Sequence, residues 1–466
     1  MIRARSVSPV EVVEAHLRRI EEMNPSLNAI VTLAPDALEC AREAEESVMR
    51  GGRGKDLLGV PVTVKDTIDA RGMHATAGTR VREGYVPGLD APAVGFLKQA
   101  GAIIIGKTNT SELALDYTTD NPVFGRTNNP HDLARTPGGS SGGCAAAVSA
   151  RMTPLSLGSD LVGSIRIPAH FCGVAGLKPT VGRVLGVGHF PGMSGAFERG
   201  ASLGPLARTI ADLWLMFRVL TGDAFELEES DLELSLDRAT DKLVDVRAAW
   251  YADDNAMPVT TETRESVERA ASSLQAAGLI VEASRPPGVE RATKLWLSLF
   301  SGATDEFVRS VYAGREGEAG PVARSFLERA VDASGGAREA ESKAWAERDR
   351  LRAELLRWME TRPILVAPVG AVPAFRHEEA RRVEVGGQAV STFRAFSYAQ
   401  AFNVFDLPAA CVPVGRSREG LPIGVQIVGR PREEEKVLAA ARIVEAALGG
   451  WQPPPDALPN ASANPL

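Results

Sequence analysis

A chain of 466 residues, 44% apolar and 24% charged, has the composition of an ordinary globular protein, long for one domain yet within the range where a large α/β enzyme keeps a single sheet. Its formal net charge of −7, with lysines and arginines scattered rather than in blocks, argues against nucleic acid or an anionic membrane as the main partner. No apolar run approaches the roughly 18 residues of a membrane span, the N-terminus lacks a charged-then-apolar signal pattern, and four cysteines without a C-x-x-C pair suit reduced thiols. A cytoplasmic location is expected.

Ser8, Pro9 and Glu11 combine a capping box with proline in the first turn, which predicts a helix from residue 8 to about 25. A strand at 29–33 and a helix at 35–50 follow, the helix stopped by Gly51 and Gly52. Residues 60–65 are apolar on both faces, as a central strand of a covered sheet would be. Lys65 closes that strand, at the end where chemistry gathers in open α/β sheets. A helix at 92–100 leads to the isoleucine-rich strand 102–107, and an alanine-rich helix at 142–151 to a strand at 154–157. Residues 181–205 read as a long loop, followed by a helix at 209–220 and an acidic, solvated stretch at 226–237. Beyond these come a strand at 246–251, a helix at 261–277, and a charged helix at 338–361 with Trp345, Leu351, Leu355 and Trp358 on a core-facing stripe. Strands at 364–367, 409–413 and 424–428, a helix at 434–448 and a Pro/Ala/Asn tail from 449 without packing signal complete the chain. The alternation predicts one α/β/α domain over residues 1–450, a central mixed β-sheet covered by helices, with a tail at 451–466 and no internal repeat.

Two glycine-flanked serine turns dominate residues 136–180: G-G-S-S-G-G at 138–143 and G-S-D-L-V-G-S-I-R-I-P at 158–168. A glycine-rich loop before a helix can cradle an anion or present a nucleophile. A Walker A loop needs a lysine where Cys144 stands. Residues 138–142 do satisfy G-x-S-x-G, but a nucleophile elbow follows a buried strand, and 131–137 is polar and proline-ended. A serine also needs a base. The six histidines, His16, His74, His131, His170, His189 and His377, show no metal-ligand spacing, so no metal is expected. His170, near Ser164, is one candidate base, although its neighbour Phe171 suits a structural place. Cys172 reads as a reactive thiol or as a small buried hydrophobe.

These two turns, together with a lysine on an upstream apolar strand (G-V-P-V-T-V-K-D, 59–66) and L-P-I-G-V-Q-I-V-G at 421–429, resemble the amidase signature hydrolases over nearly the whole chain. The resemblance implies the amidase signature fold, with Ser164 as nucleophile, Ser140 as a bridging serine on a cis peptide, and Lys65 receiving the proton through Ser140, without a cofactor. An ordinary lysine titrates near pH 10.4, so that role requires burial. The turn of Leu161, Val162, Gly163 and Ser164 would offer backbone N–H groups to an oxyanion. The family commonly has glycine where this chain has Val162. Gly139 and Ser141 would support the first turn, and Asp160 and Arg166 would form a supporting ion pair. Phe171, Phe190, Met193 and Phe197 cluster after the nucleophile and are candidates for the substrate pocket.

The activity implied is hydrolysis of a C–N acyl bond in a carboxamide, aryl amide or carbamate (urethane), with esterase side activity, through an acyl-serine intermediate. The only partner expected is the small-molecule amide, carbamate or ester substrate, with no nucleic acid and no membrane, on a monomer or homodimer. The alternative is the glutaminase-type subunit of a tRNA-dependent amidotransferase, which needs protein partners and nearby tRNA. Its S-L-D-x-x-G-P would fall where this chain has R-G-A-S-L-G-P at 199–205, without the aspartate that helps hold glutamine. A third reading, a non-catalytic anion-binding module on 138–143, stays open from the loop alone.

Overall fold

Helix α1 (Pro9–Leu27) begins as its first residues dictate: Ser8 Oγ accepts from the Glu11 N–H, and the Glu11 carboxylate accepts from the Ser8 N–H. The computed structural model describes residues 1–50, 55–222, 236, 238–329 and 336–455. The expected glycine stop at 51–52, nearly all of the acidic stretch 226–237 and the tail after 455 lie outside the described residues.

Among the described residues the core is an 11-stranded mixed sheet. From one edge its strands are β1 (Ile30–Leu33), β3 (Ile103–Thr108), β2 (Pro61–Lys65), β4 (Leu155–Asp160), β6 (Ser202–Ala207), β5 (Ala175–Lys178), β12 (Ala409–Arg416), β13 (Pro422–Val428), β9 (Ile364–Pro368), β7 (Arg247–Trp250) and β8 (Ile280–Ala283). Among the helices, α4 (Gly142–Ser149) and α5 (Arg166–Cys172) pack together against the sheet, and α6 (Ile210–Thr221) packs with Glu434–Leu448 in a separate layer. Every residue of β2, β4 and β13 is buried, in keeping with the largely apolar sequences of β2 and β13, whereas β4 carries Ser156, Ser159 and Asp160 into the interior.

The sheet's register positions the chemistry. β2 and β4 run parallel with Val62 opposite Leu155 and Val64 opposite Leu157, so Lys65 and the Ser159–Asp160 pair emerge side by side at the same sheet end. Each serine turn then opens a helix, 138–141 into α4 and 161–165 into α5. Gly139 allows the close approach this requires, since a Cβ there would lie 2.2 Å from the Thr118 carbonyl oxygen.

Several elements differ from the expectations. The long loop ends earlier, in β6 from Ser202, where L-G-P-L-A pairs along β4 despite its proline and glycine. The helices Ala292–Tyr312, Pro321–Leu327 and Ser397–Val404 carry no N-terminal side-chain cap, and the third is buried along its whole length, leaving no polar stripe to mark its period. The charged helix spans Gly336–Trp358, with Leu351 and Leu355 buried and Trp345 and Trp358 half-buried against the core. The chain after 450 also packs: Trp451 lies under Arg208, and Arg416 donates to the Pro453 carbonyl at 3.1 Å.

Candidate active site

Lys65 is completely buried, and its Nζ lies 2.6 Å from Ser140 Oγ and 3.0 Å from Ser159 Oγ. Burial pushes this amine down from its ordinary 10.5 to about 7, against the opposing pull of Cys144 and Asp160. At neutral pH a large fraction is therefore free base. The Gly139–Ser140 peptide is cis. Ser141 ties the loop to β4, donating through Oγ to the Ser159 carbonyl at 3.1 Å and accepting from the Ser159 N–H at 3.3 Å. Thr119 fastens the same loop, donating to the Gly138 carbonyl and accepting from the Gly142 N–H. With the Gly138 N–H held by Thr136 and the Ser141 N–H by the Ser164 carbonyl, three of the loop's N–H groups are already occupied. That occupancy weighs against an anion cradle.

Ser164 follows the second turn, and its Oγ makes no hydrogen bond to any described residue. Ser140 and Ser164 both open onto one cavity of about 690 Å³. Asp160 and Arg166, both fully buried, shape this turn: Arg166 holds the carboxylate with Nε and Nη2 at 3.1 Å each. Burial alone would raise the Asp160 pKa; the adjacent guanidinium overrides it and holds the carboxyl well below its ordinary range. Asn403 and Gln426 accept from two of the three remaining guanidinium hydrogens, one on Nη2 and one on Nη1. Removing one partner of such a pair costs about 3–5 kcal/mol, because the other charge is left buried alone.

The Asp160 carboxylate also accepts from the Gly163 N–H at 2.8 Å and the Ile165 N–H at 3.0 Å. This corrects the expected donor set: the Gly163 N–H is taken, leaving those of Leu161, Val162 and Ser164 without acceptors among the described residues. The positive φ of the turn falls on Gly163, at 106°, and not on Val162. The carbonyls of the turn are held from outside, Leu161 by the Trp296 indole at 3.2 Å and Val162 by the Tyr117 hydroxyl at 3.0 Å.

The cavity is mostly apolar beyond the serines, walled by Leu161, Val162, Met193, Phe197, Trp296 and Phe393, with Phe307 and Phe326 also lining it and Asp116, Asp120, Arg329 and Arg381 among its polar groups. Two of the four expected pocket residues are elsewhere. Phe171 is fully buried in α5, where its ring is enclosed edge-on by Phe375 and Phe396 and does not line the cavity. Phe190 packs against Phe307 and Arg82, behind the wall rather than on it. His170 is structural: its Nδ1 accepts from the Gly424 N–H at 2.7 Å and its Nε2 donates to the Val372 carbonyl at 3.1 Å. Cys172 is a buried thiol whose pKa burial pushes well up.

Sequence reasoning missed Ser159, His189, Tyr117 and Trp296. Ser159 had a signal, its place within G-S-D beside the aspartate. Tyr117 and Trp296 had none, since each reaches the turn from a distant segment. Among the described residues no group of His, Cys, Asp and Glu is arranged to hold a metal, and no helix is long and apolar enough to cross a membrane.

The chain matches the Amidase family model over residues 11–438. It is 33% identical to a glutamyl-tRNA(Gln) amidotransferase subunit of Anaeromyxobacter sp. (strain K), across 98% of this chain and 96% of that one. It is 32% identical to fatty-acid amide hydrolase 2-A of Danio rerio, across 97% and 88%. The crystal structure of a bacterial aryl acylamidase superposes with a TM-score of 0.83 at 26% identity, covering 96% of this chain and 94% of that chain. The family match, spanning both serine turns and the buried lysine beneath them, makes the chain a member of the amidase signature family, and its single α/β domain carries that family's fold.

Proposed function

We propose that this amidase hydrolyses carboxamides with an apolar, preferably aromatic, acyl or amine part, and aryl carbamates and esters more readily still where the leaving group is better. The observation that carries the reading is a buried amine 2.6 Å from a serine hydroxyl that lines an apolar cavity of about 690 Å³. Such a volume holds a drug-sized molecule.

In this reading Ser164 Oγ attacks the acyl carbon as its proton passes to Ser140 and that of Ser140 passes to Lys65. The carbonyl oxygen becomes an oxyanion facing the Leu161, Val162 and Ser164 N–H groups, each effective donor being worth about 3–4 kcal/mol. Lys65 then returns its proton through Ser140 to the leaving nitrogen, the C–N bond breaks, and amine departs from acyl-Ser164. Water, deprotonated along the same route, cleaves the ester and restores Ser164. The low amine pKa supports this proton-accepting role, since a base is most useful when its pKa lies near the working pH.

A panel of anilides, primary amides, aryl carbamates and esters of matched acyl size tests the reading. Aryl substrates should be turned over fastest, and Ser164→Ala should lower kcat by more than about 10³-fold. Near-normal turnover by Ser164→Ala would remove it as nucleophile. The second reading, a glutaminase-type subunit, is favoured by the 33% identity to the Anaeromyxobacter amidotransferase protein. The apolar walls and the absence of an aspartate at 199–205 count against it. Preference for glutamine over every aryl substrate would reverse the order.

A further inference from the structure

His189 stands on the cavity wall beside the buried lysine, held by an isolated antiparallel bridge to Ile68. Its Nδ1 lies 2.6 Å from the Pro191 carbonyl oxygen, which can only accept, so Nδ1 carries the proton of a neutral ring. Nε2 is then a lone pair. It lies 2.9 Å from Ser159 Oγ, whose one hydroxyl proton must point to it. Lys65 Nζ, 3.0 Å from that same oxygen, can therefore only donate to it. A neutral amine that donates to Ser159 keeps its own lone pair for Ser140, 2.6 Å away.

We propose that His189 is a positioning residue for the hydrolytic reaction: by taking the Ser159 proton it prevents that hydroxyl from capping the lone pair of Lys65, and so keeps the lone pair aimed at Ser140. The proposal rests on the reading of Lys65 as proton acceptor. Its geometry is directional, since a protonated ring would donate from Nε2, turn the Ser159 proton toward Lys65 and block the base. The ring is kept neutral by its enclosure and by Lys65, with Lys107 adding to the effect, all of which hold its pKa well below the ordinary value. The other charged or titratable groups acting on Lys65, Cys144 and Asp160, offer its nitrogen no hydrogen bond and so cannot set this direction.

The experiment is covalent trapping of Ser164 by an aryl-alkyl fluorophosphonate, in which the Oγ–P bond forms, fluoride leaves and the serine proton goes to the base. Rates over a concentration series separate the maximal trapping rate from the half-saturating concentration. His189→Ala should slow the maximal rate at least tenfold with the half-saturating concentration within twofold of wild type. His189→Gln, whose amide can donate to Pro191 and accept from Ser159, should recover to within threefold. On a Ser159→Ala background, where the link to Lys65 is already cut, His189→Ala should change the rate by less than twofold. A tenfold further loss on that background, or an effect confined to the half-saturating concentration, would assign His189 to packing or substrate contact and overturn the proposal. Unlabelled wild type would overturn the hydrolytic reading and this proposal with it, whereas labelled wild type with an unaffected His189→Ala overturns the proposal alone.

Discussion

Lys65→Met keeps the length and most of the volume of the side chain while removing the amine, and its consequences for stability can be worked out from the burial of the site. In the native state the amine titrates at about 7, and in the unfolded chain near 10.5. At 1.36 kcal/mol per pH unit, that gap is a preference of about 5 kcal/mol for the neutral form. Between pH 7 and 10.5 the unfolded chain binds a proton that the native amine has released, so native stability rises with pH across this window. Below pH 7 the full cost of about 5 kcal/mol is present; at pH 9 about 2 kcal/mol remains, the cost of stripping the proton from an ordinary lysine. Methionine has no such dependence. The stability of Lys65→Met relative to wild type should therefore be about 3 kcal/mol more favourable at pH 6 than at pH 9, whatever constant offset arises from unpairing Ser140 and Ser159. Urea unfolding at the two pH values measures it, and trapping of Ser164 by a fluorophosphonate should fall by more than about 10³-fold in the same variant. A relative stability that stays flat from pH 6 to 9 would mean that the native amine titrates like an exposed lysine. It would then be protonated at neutrality, and the proton-accepting role would fail on thermodynamic grounds.

Phe171→Ala and Phe197→Ala should separate core from pocket: the first should cost about 3–5 kcal/mol in urea unfolding with KM for an aryl amide little changed, the second should raise that KM several-fold with stability nearly intact. Equal effects on KM would return Phe171 to the cavity wall. Val162→Gly should leave ester hydrolysis within about tenfold, because the positive φ of the turn belongs to Gly163, while altering which acyl groups are accepted, because the Val162 side chain lines the cavity. A large gain toward every substrate alike would show that valine strains or obstructs the turn.

How much of this was legible in the sequence depends on the distance over which each residue acts. Lys65, Ser140 and Ser164 sit in segments whose local composition is itself unusual: a wholly buried strand, and two turns with glycine where a Cβ would strike backbone, as at Gly139, or where φ is positive, as at Gly163. Asp160 and Arg166 lie close together in the chain, so a bidentate pair across one turn can be read from spacing. Strands β2, β3 and β4 and the capped helix α1 were readable for the same reason, their signals being complete within a few residues. The pocket is different, because its walls come from 161–162, 193–197, 296–307 and 393, and nothing in any one segment shows which side of it faces the others. Phe171 and Phe197 look alike in sequence, aromatic residues downstream of Ser164. Only the tertiary fold encloses the first, between Phe375 and Phe396, while Phe197, on the short turn before β6, is left to the cavity.

The same logic explains why the free N–H donors of the turn at 161–164 differ from the expected set by one residue. Sequence shows that Asp160 precedes the turn and that Gly163 is free of a side chain, and both facts suit an exposed N–H at Gly163. What sequence does not show is that a carboxylate with two oxygens has capacity beyond its bidentate arginine. Asp160 Oδ1 accepts from Arg166, Asn403 and Gly163, while Oδ2 accepts from Arg166 and Ile165. Those backbone bonds fold the turn over the aspartate at 163 and 165, which leaves the intervening Ser164 N–H, with those of Leu161 and Val162, unspent. The ion pair is thus more than a brace beneath Ser164: by choosing which amides of the turn it consumes, it determines which N–H groups stay free to donate.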